Sequence, residues 1–106
     1  MEQTRNAADT LNHIIDKLSK KWSIFILSYV TDKKRVRFSE ILAALPDINS
    51  RILSERLSEL EKAHLITRTV RSTKPIIVNY EITQRGMDLK PIYKTCSDWA
   101  KKWCSK

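Results

Sequence analysis

Between Phe38 and Thr83 the spacing of apolar residues changes once, from the three-and-four of a helix to the two of a strand, and that change confines the fold to a helical pair followed by a hairpin. The helical part opens with residues 38–45, where Ile41, Leu42 and Leu45 share a side before Pro46 ends the helix. Pro46-Asp47-Ile48-Asn49 reads as a turn, and Asn49 or Ser50 can cap the next helix by accepting from its free N–H groups. In residues 50–63, at roughly 100° per residue, Leu53, Leu57 and Leu60 form a buried stripe. Arg51, Ser54, Glu55, Ser58 and Lys62 form one solvent face opposite it. From residue 65 the period is two: Ile66, Arg68 and Val70, then Ile76, Val78, Tyr80 and Ile82, in β-branched and aromatic company. Arg71-Ser72-Thr73-Lys74-Pro75 joins the two runs, so residues 65–83 read as a β-hairpin with a basic tip.

The two flanks carry different patterns. Residues 7–19 carry Ala8, Leu11, Ile14, Ile15 and Leu18 on one helical face. Residues 22–30, WSIFILSYV, are apolar nearly all round, and periodicity alone leaves buried helix and buried strand open. A charged connector, residues 32–37, follows. Thr83 caps a final helix over residues 84–104, with Leu89, Ile92, Tyr93, Cys96, Trp99, Ala100 and Trp103 at helical spacing. The expected architecture is mainly α with a small β-hairpin wing.

Composition narrows the function. At 106 residues the chain is one domain, 1–106, with room for a single core. It has one glycine, Gly86, whereas a phosphate-cradling loop of a nucleotide-binding enzyme needs several. No nucleophile-and-base pair or metal-ligand spacing is present, so no catalytic residue, metal or cofactor is assigned and no enzyme is expected. Glu55, Glu59 and Glu61 scatter around their helix, and His13 and His64 read as surface or junction residues. Two cysteines and the lack of a signal-like or spanning apolar run point to the cytoplasm, with no membrane partner. Twenty Lys and Arg against twelve Asp and Glu give a net charge of +8, which suits a polyanion.

Charge and architecture together describe a winged helix-turn-helix, with residues 38–63 as the helix-turn-helix and 65–83 as the wing. Its second helix fits a major groove about 12 Å wide. Asn49, Ser50, Arg51, Ser54, Glu55 and Ser58 are the candidates for contact with double-stranded DNA, Arg51 as a guanine reader and Glu55 as an acceptor from cytosine. Arg37, Ser39, Arg68, Arg71 and Lys74 are the candidates for backbone and wing contacts. Arg56 flanks the buried stripe and suits a structural ion pair or phosphate clamp. Two rival functions share this fold: a protein-interaction module and a non-specific architectural DNA binder.

With those residues in place the chain resembles the HxlR-type winged-helix transcriptional regulators, relatives of the MarR group. The resemblance rests on Lys21-Trp22 before an apolar helix, Arg37-Phe38-Ser39-Glu40-Ile41, Leu45-Pro46-x-Ile48, Leu53-x-x-x-Leu57-x-x-Leu60-Glu61, Leu65-Ile66-x-Arg68, Pro75, Val78-x-Tyr80-x-Ile82-Thr83-x-x-Gly86-x-x-Leu89, and Trp99. It implies that residues 22–30 are a helix, and a homodimer built from the first and last helices, 7–19 and 84–104. Leu11, Ile14, Ile15, Ile92, Cys96, Trp99 and Trp103 are then the interface candidates. A small-molecule effector, if one exists, is expected where the first helix, the Trp22 helix and the Trp99 helix meet. Many members carry a cysteine early in the first helix; Asp9 stands there, so thiol sensing at that site is unavailable. The family's Gly-Gly before Lys-Trp is Ser19-Lys20. Cys96 and Cys104 stand about 12 Å apart along a continuous helix, too far for an intrachain disulfide; a symmetric interchain thiol pair is the alternative to plain structural cysteines.

Overall fold

The computed structural model describes residues 7–71 and 74–104. In chain order it has α1 (Ala7–Leu18), α2 (Ser23–Lys33), β1 (Arg35–Arg37), α3 (Phe38–Ala44), α4 (Ser50–Lys62), β2 (Ile66–Arg71), β3 (Ile77–Ile82), α5 (Gln84–Met87) and α6 (Lys90–Cys104). The segment whose periodicity was ambiguous is a helix, α2, and it is the centre of the core: Ile26, Leu27 and Val30 are completely buried. A strand would have placed Ile26 and Leu27 on opposite faces; the helix turns both inward with Val30. Thr31, also buried, donates from Oγ1 to the Leu27 carbonyl at 2.7 Å and accepts from the Tyr93 hydroxyl at 3.3 Å, which pins α6 to α2. Leu53, Leu57 and Leu60 of α4 close the core against α2, with Ile41, Leu65, Ile66 and Tyr80 around them.

Two of the sequence expectations need correction. The charged connector is not a loop throughout. α2 runs on to Lys33, and Arg35–Arg37 forms a third strand, giving an antiparallel sheet of order β1-β3-β2. Val36 points into the core while the arginines beside it stay exposed, an alternation three residues long. The last helix is not continuous either. α5 ends at Met87, and α6 restarts at Lys90, where Pro91 in the first turn has no N–H to lose. The amphipathic face of α1 buries only Leu18 within the single chain, and α6 buries no residue.

Sharp chain reversals fall on residues with side chains. Trp22, Lys34 and His64 have φ of 81°, 72° and 62°, the left-handed region that glycine adopts most readily. Gly86 stands elsewhere, buried in α5, where its N–H donates to the capping Oγ1 of Thr83 at 3.0 Å. No helix of the described residues is long and apolar enough to cross a membrane.

Candidate nucleic-acid interface

Helix α4 begins at a built cap. Asn49, in extended backbone conformation, accepts on Oδ1 from the N–H of Ile52 at 2.8 Å, satisfying one of the free donors of the first turn. Asn49 was a candidate for DNA contact; its side-chain oxygen is committed to the helix. Asn49→Ala is expected to lower unfolding free energy by about 1 kcal/mol, read as a shift in the urea midpoint with unchanged slope.

Beyond the cap, Ser50, Arg51, Ser54, Glu55 and Ser58 are all exposed and lie opposite the buried leucines, as the helical arithmetic requires. Arg51 and Glu55 form an ion pair along this face, Nη1 to Oε2 at 2.9 Å, with 72% and 48% of their side chains accessible. At that exposure an i,i+4 pair is worth only about 0.3–0.5 kcal/mol, so both groups can exchange it for other partners. Arg56 differs. Its side chain is 16% exposed; Nε donates to the Lys21 carbonyl at 2.9 Å, and Nη1 lies 3.4 Å from Glu59 Oε1. Arg56 therefore ties the corner before α2 to α4, the structural role anticipated for it.

The strand register divides the wing candidates. Cross-strand partners share a face of the sheet. Arg68 stands opposite Tyr80, on the side that carries Ile66 and Val36 into the core. Arg37 and Arg71, opposite Asn79 and Ile77, are on the other side. Arg35 on that second side is neutralised by its partner Glu81 at 2.9 Å, whereas Arg37, Arg68, Arg71 and Lys74 have no carboxylate within ion-pair distance among the described residues. A cleft of about 300 Å³ brings Arg37 and Ser39 at the start of α3 against Pro75, Ile76, Ile77 and Val78 of the wing. Ser72 and Thr73 of the tip lie outside the described residues.

On α1 and α6 the apolar candidates are uncovered. Leu11 is 57% exposed, Ile15 46%, Ile92 58%, Trp99 61% and Trp103 67%; Cys96 is exposed and Ile14 half-buried. Ile15, Leu18, Ile24, Leu89, Ile92 and Cys96 line an apolar groove of about 460 Å³ where α1, α2 and α6 meet. Sequence reasoning missed Phe25 and Ile76, 64% and 69% exposed. The first sat in an all-apolar run and the second in a strand pattern, and neither pattern distinguishes the covered side from the open one.

Comparison with known proteins agrees with this geometry. The model of the family described as HxlR-like helix-turn-helix matches residues 17–106. The HTH-type transcriptional regulator YvaP of Bacillus subtilis (strain 168), itself uncharacterized, is 42% identical over 84% of this chain and 82% of its own length. YodB, an HTH-type transcriptional regulator of the same organism, is 33% identical over 82% of this chain and 77% of its own. The reduced form of YodB superposes with a TM-score of 0.83 at 30% identity, covering 91% of this chain and 93% of that one. A structure described as a transcriptional regulator of the MarR family, from Enterococcus faecalis V583, gives 0.84 at 25% identity, covering 94% and 90%.

Proposed function

Because the chain belongs to the HxlR-like helix-turn-helix family of transcriptional regulators, and is not an enzyme, we propose that it acts in the cytoplasm as a homodimer on a pseudo-palindromic operator. Each protomer sets residues 50–58 of α4 into one of two successive major grooves, about 34 Å apart. The observation that carries this reading is the division of the surface. α4 presents an exposed polar face and the wing carries unpaired cations, while α6, fifteen residues with none buried, presents exposed tryptophans. A terminal helix with two exposed tryptophans on a single chain is best explained by a second copy. Arg51 reads guanine, Glu55 accepts from cytosine, and Ser50, Ser54 and Ser58 fill out the groove. Arg37, Ser39, Arg71 and Lys74 hold the phosphate backbone, with Arg68 at the inner side of the wing. The apolar groove between α1, α2 and α6 is where a small apolar effector would bind.

Fluorescence-anisotropy titration of a duplex selected from a random pool, against a scrambled control at about 50 and 200 mM salt, tests the whole reading. A preference of about a thousandfold and a steep loss with salt are expected. Equal affinities would mean an architectural binder, and no binding to either duplex would favour a protein-interaction module. Arg51→Ala is expected to cost about 1–3 kcal/mol on the selected duplex and to relax one base position, while Arg71→Ala weakens all duplexes alike and lowers the salt slope by about one. Equal losses on selected and scrambled DNA for Arg51→Ala would remove the base-reading role.

A further inference from the structure

A cleft of about 330 Å³ lies where α1, the end of α4 and α5 come together, and its ionisable lining is entirely basic: His13, Lys17, Lys62, His64 and Arg85. Ile14 and Ala63 complete the lining, and no carboxylate is part of it. Asp9 and Asp16 of α1 line a separate cleft that shares only His13 with this one. Five ion pairs elsewhere on the surface show how readily this chain sets acids against its cations: Lys20 with Glu59, Arg35 with Glu81, Arg51 with Glu55, Lys90 with Asp32 and Lys94 with Asp98. In this cleft it does not. The lining draws three cations and two imidazoles from three different elements, with no carboxylate among them to balance the charge.

The helix end alone does not account for the cluster. Lys62 can balance the negative end of the α4 dipole, and one N–H of Arg85 reaches the Ala63 carbonyl at 3.3 Å. Lys17, in the last turn of α1, can likewise balance the end of its own helix, which leaves the remaining guanidinium donors and both imidazoles without such a part. Nor does the duplex account for it. The cleft sits at the C-terminal end of α4, about 18 Å along the helix from Ser50, whereas major-groove contact belongs to the N-terminal end.

The geometry points to a binding site for a small multivalent oxyanion, a phosphate or a di- or tricarboxylate, held by Lys17, Lys62 and Arg85 as charge-assisted donors and by His13 and His64 as flanking N–H donors. An occupant bridges α1 to the last turn of the recognition helix, so the site reports on the same helix that meets DNA without using the DNA-facing residues. The assignment does not depend on the operator reading, and its test needs no DNA.

Inorganic phosphate and malonate are titrated separately into ¹⁵N-labelled protein at constant ionic strength made up with chloride. Saturable shifts centred on His13, Lys17, Lys62, His64 and Arg85 are expected for at least one of the two. Lys62→Gln with Arg85→Gln should weaken that binding about tenfold or more, and Arg51→Ala should leave it unchanged. His13→Gln, at an exposed position of α1, supplies a variant whose folding is not at issue and should weaken binding by a smaller factor. Shifts no larger than those of chloride for both anions, shifts centred on residues 50–58 and the wing, or binding indifferent to these substitutions would each overturn the site.

Discussion

Replacing Trp99 and Trp103 together by alanine is expected to turn the protein into a monomer by light scattering, with its far-ultraviolet circular dichroism unchanged, and to cut affinity for a palindromic duplex by a factor on the order of a hundred to ten thousand. The two parts of this result have separate causes. Both indoles are more than half exposed on the single chain, so their removal leaves no hole in the Ile26, Leu27, Val30 and Leu57 core. In an interface each tryptophan can cover about 150–250 Å² of apolar surface, several kcal/mol at about 25 cal/mol per Å², and such residues are where binding energy concentrates. Once the dimer is gone, the second α4 no longer meets its half-site as an intramolecular event, and the loss in DNA affinity follows without any change in the DNA-facing side chains. A double variant that remains dimeric at micromolar concentration would remove α6 from the interface.

Gly86→Ala is expected to destabilise the fold by about 3 kcal/mol, a fall of roughly 10–20 °C in the thermal midpoint for a domain of this size. Two effects of opposite sign compete. Gly86 lies in α5 without positive φ, and on helical propensity alone alanine would gain about 1 kcal/mol. Space decides the sign. A Cβ there would overlap the carbonyl oxygen of Leu65 and come within 2.5 Å of Ile82 Cδ1. The Leu65 carbonyl has little freedom to withdraw, because it accepts from the N–H of Thr83 at 3.1 Å and from Thr83 Oγ1 at 3.0 Å. The sole glycine of the chain is therefore set by a close approach between α5 and the start of the wing. An unchanged or raised melting temperature in Gly86→Ala would show that the contact relaxes cheaply.

How much of this was legible beforehand depends on how many residues each feature spends declaring itself. The α4 stripe of Leu53, Leu57 and Leu60 repeats over about two turns, and the Asn49 cap and Pro46 turn announce its start, so helix, cap and outward face were all readable. The wing strands carry six residues each, long enough for alternation to show. β1 has three, of which two are arginine, and one buried Val36 between charges is indistinguishable from a connector until β3 is known to lie beside it. The break before α6 was signalled by Pro91, but the continuing apolar spacing from Leu89 to Trp103 masked it. For the site, exposure of Arg51 and Glu55 followed from angle alone. That Arg68 and Arg71 belong to opposite faces of the sheet follows from alternation along β2, but that Arg37 shares the face of Arg71 follows only from the pairing of β1 and β2 with β3, which the sequence does not display.

The third strand also sets which insertions the chain can absorb. β1 is paired to β3 residue by residue, Arg35 with Glu81, Val36 with Tyr80 and Arg37 with Asn79, and α3 starts at the next residue, Phe38. A residue added or removed within 35–38 would turn Val36 outward and rotate α3 by about 100° relative to its neighbours, so both changes arrive together. Between Arg71 and Ile77, by contrast, no element of the described residues is in register with the connection, and extra residues there cost only the slowly growing entropy of a longer loop. Among relatives of this architecture, variation in length should therefore collect at the wing tip, leaving the distance from β1 to α4 constant while the reach of the wing differs from one relative to the next.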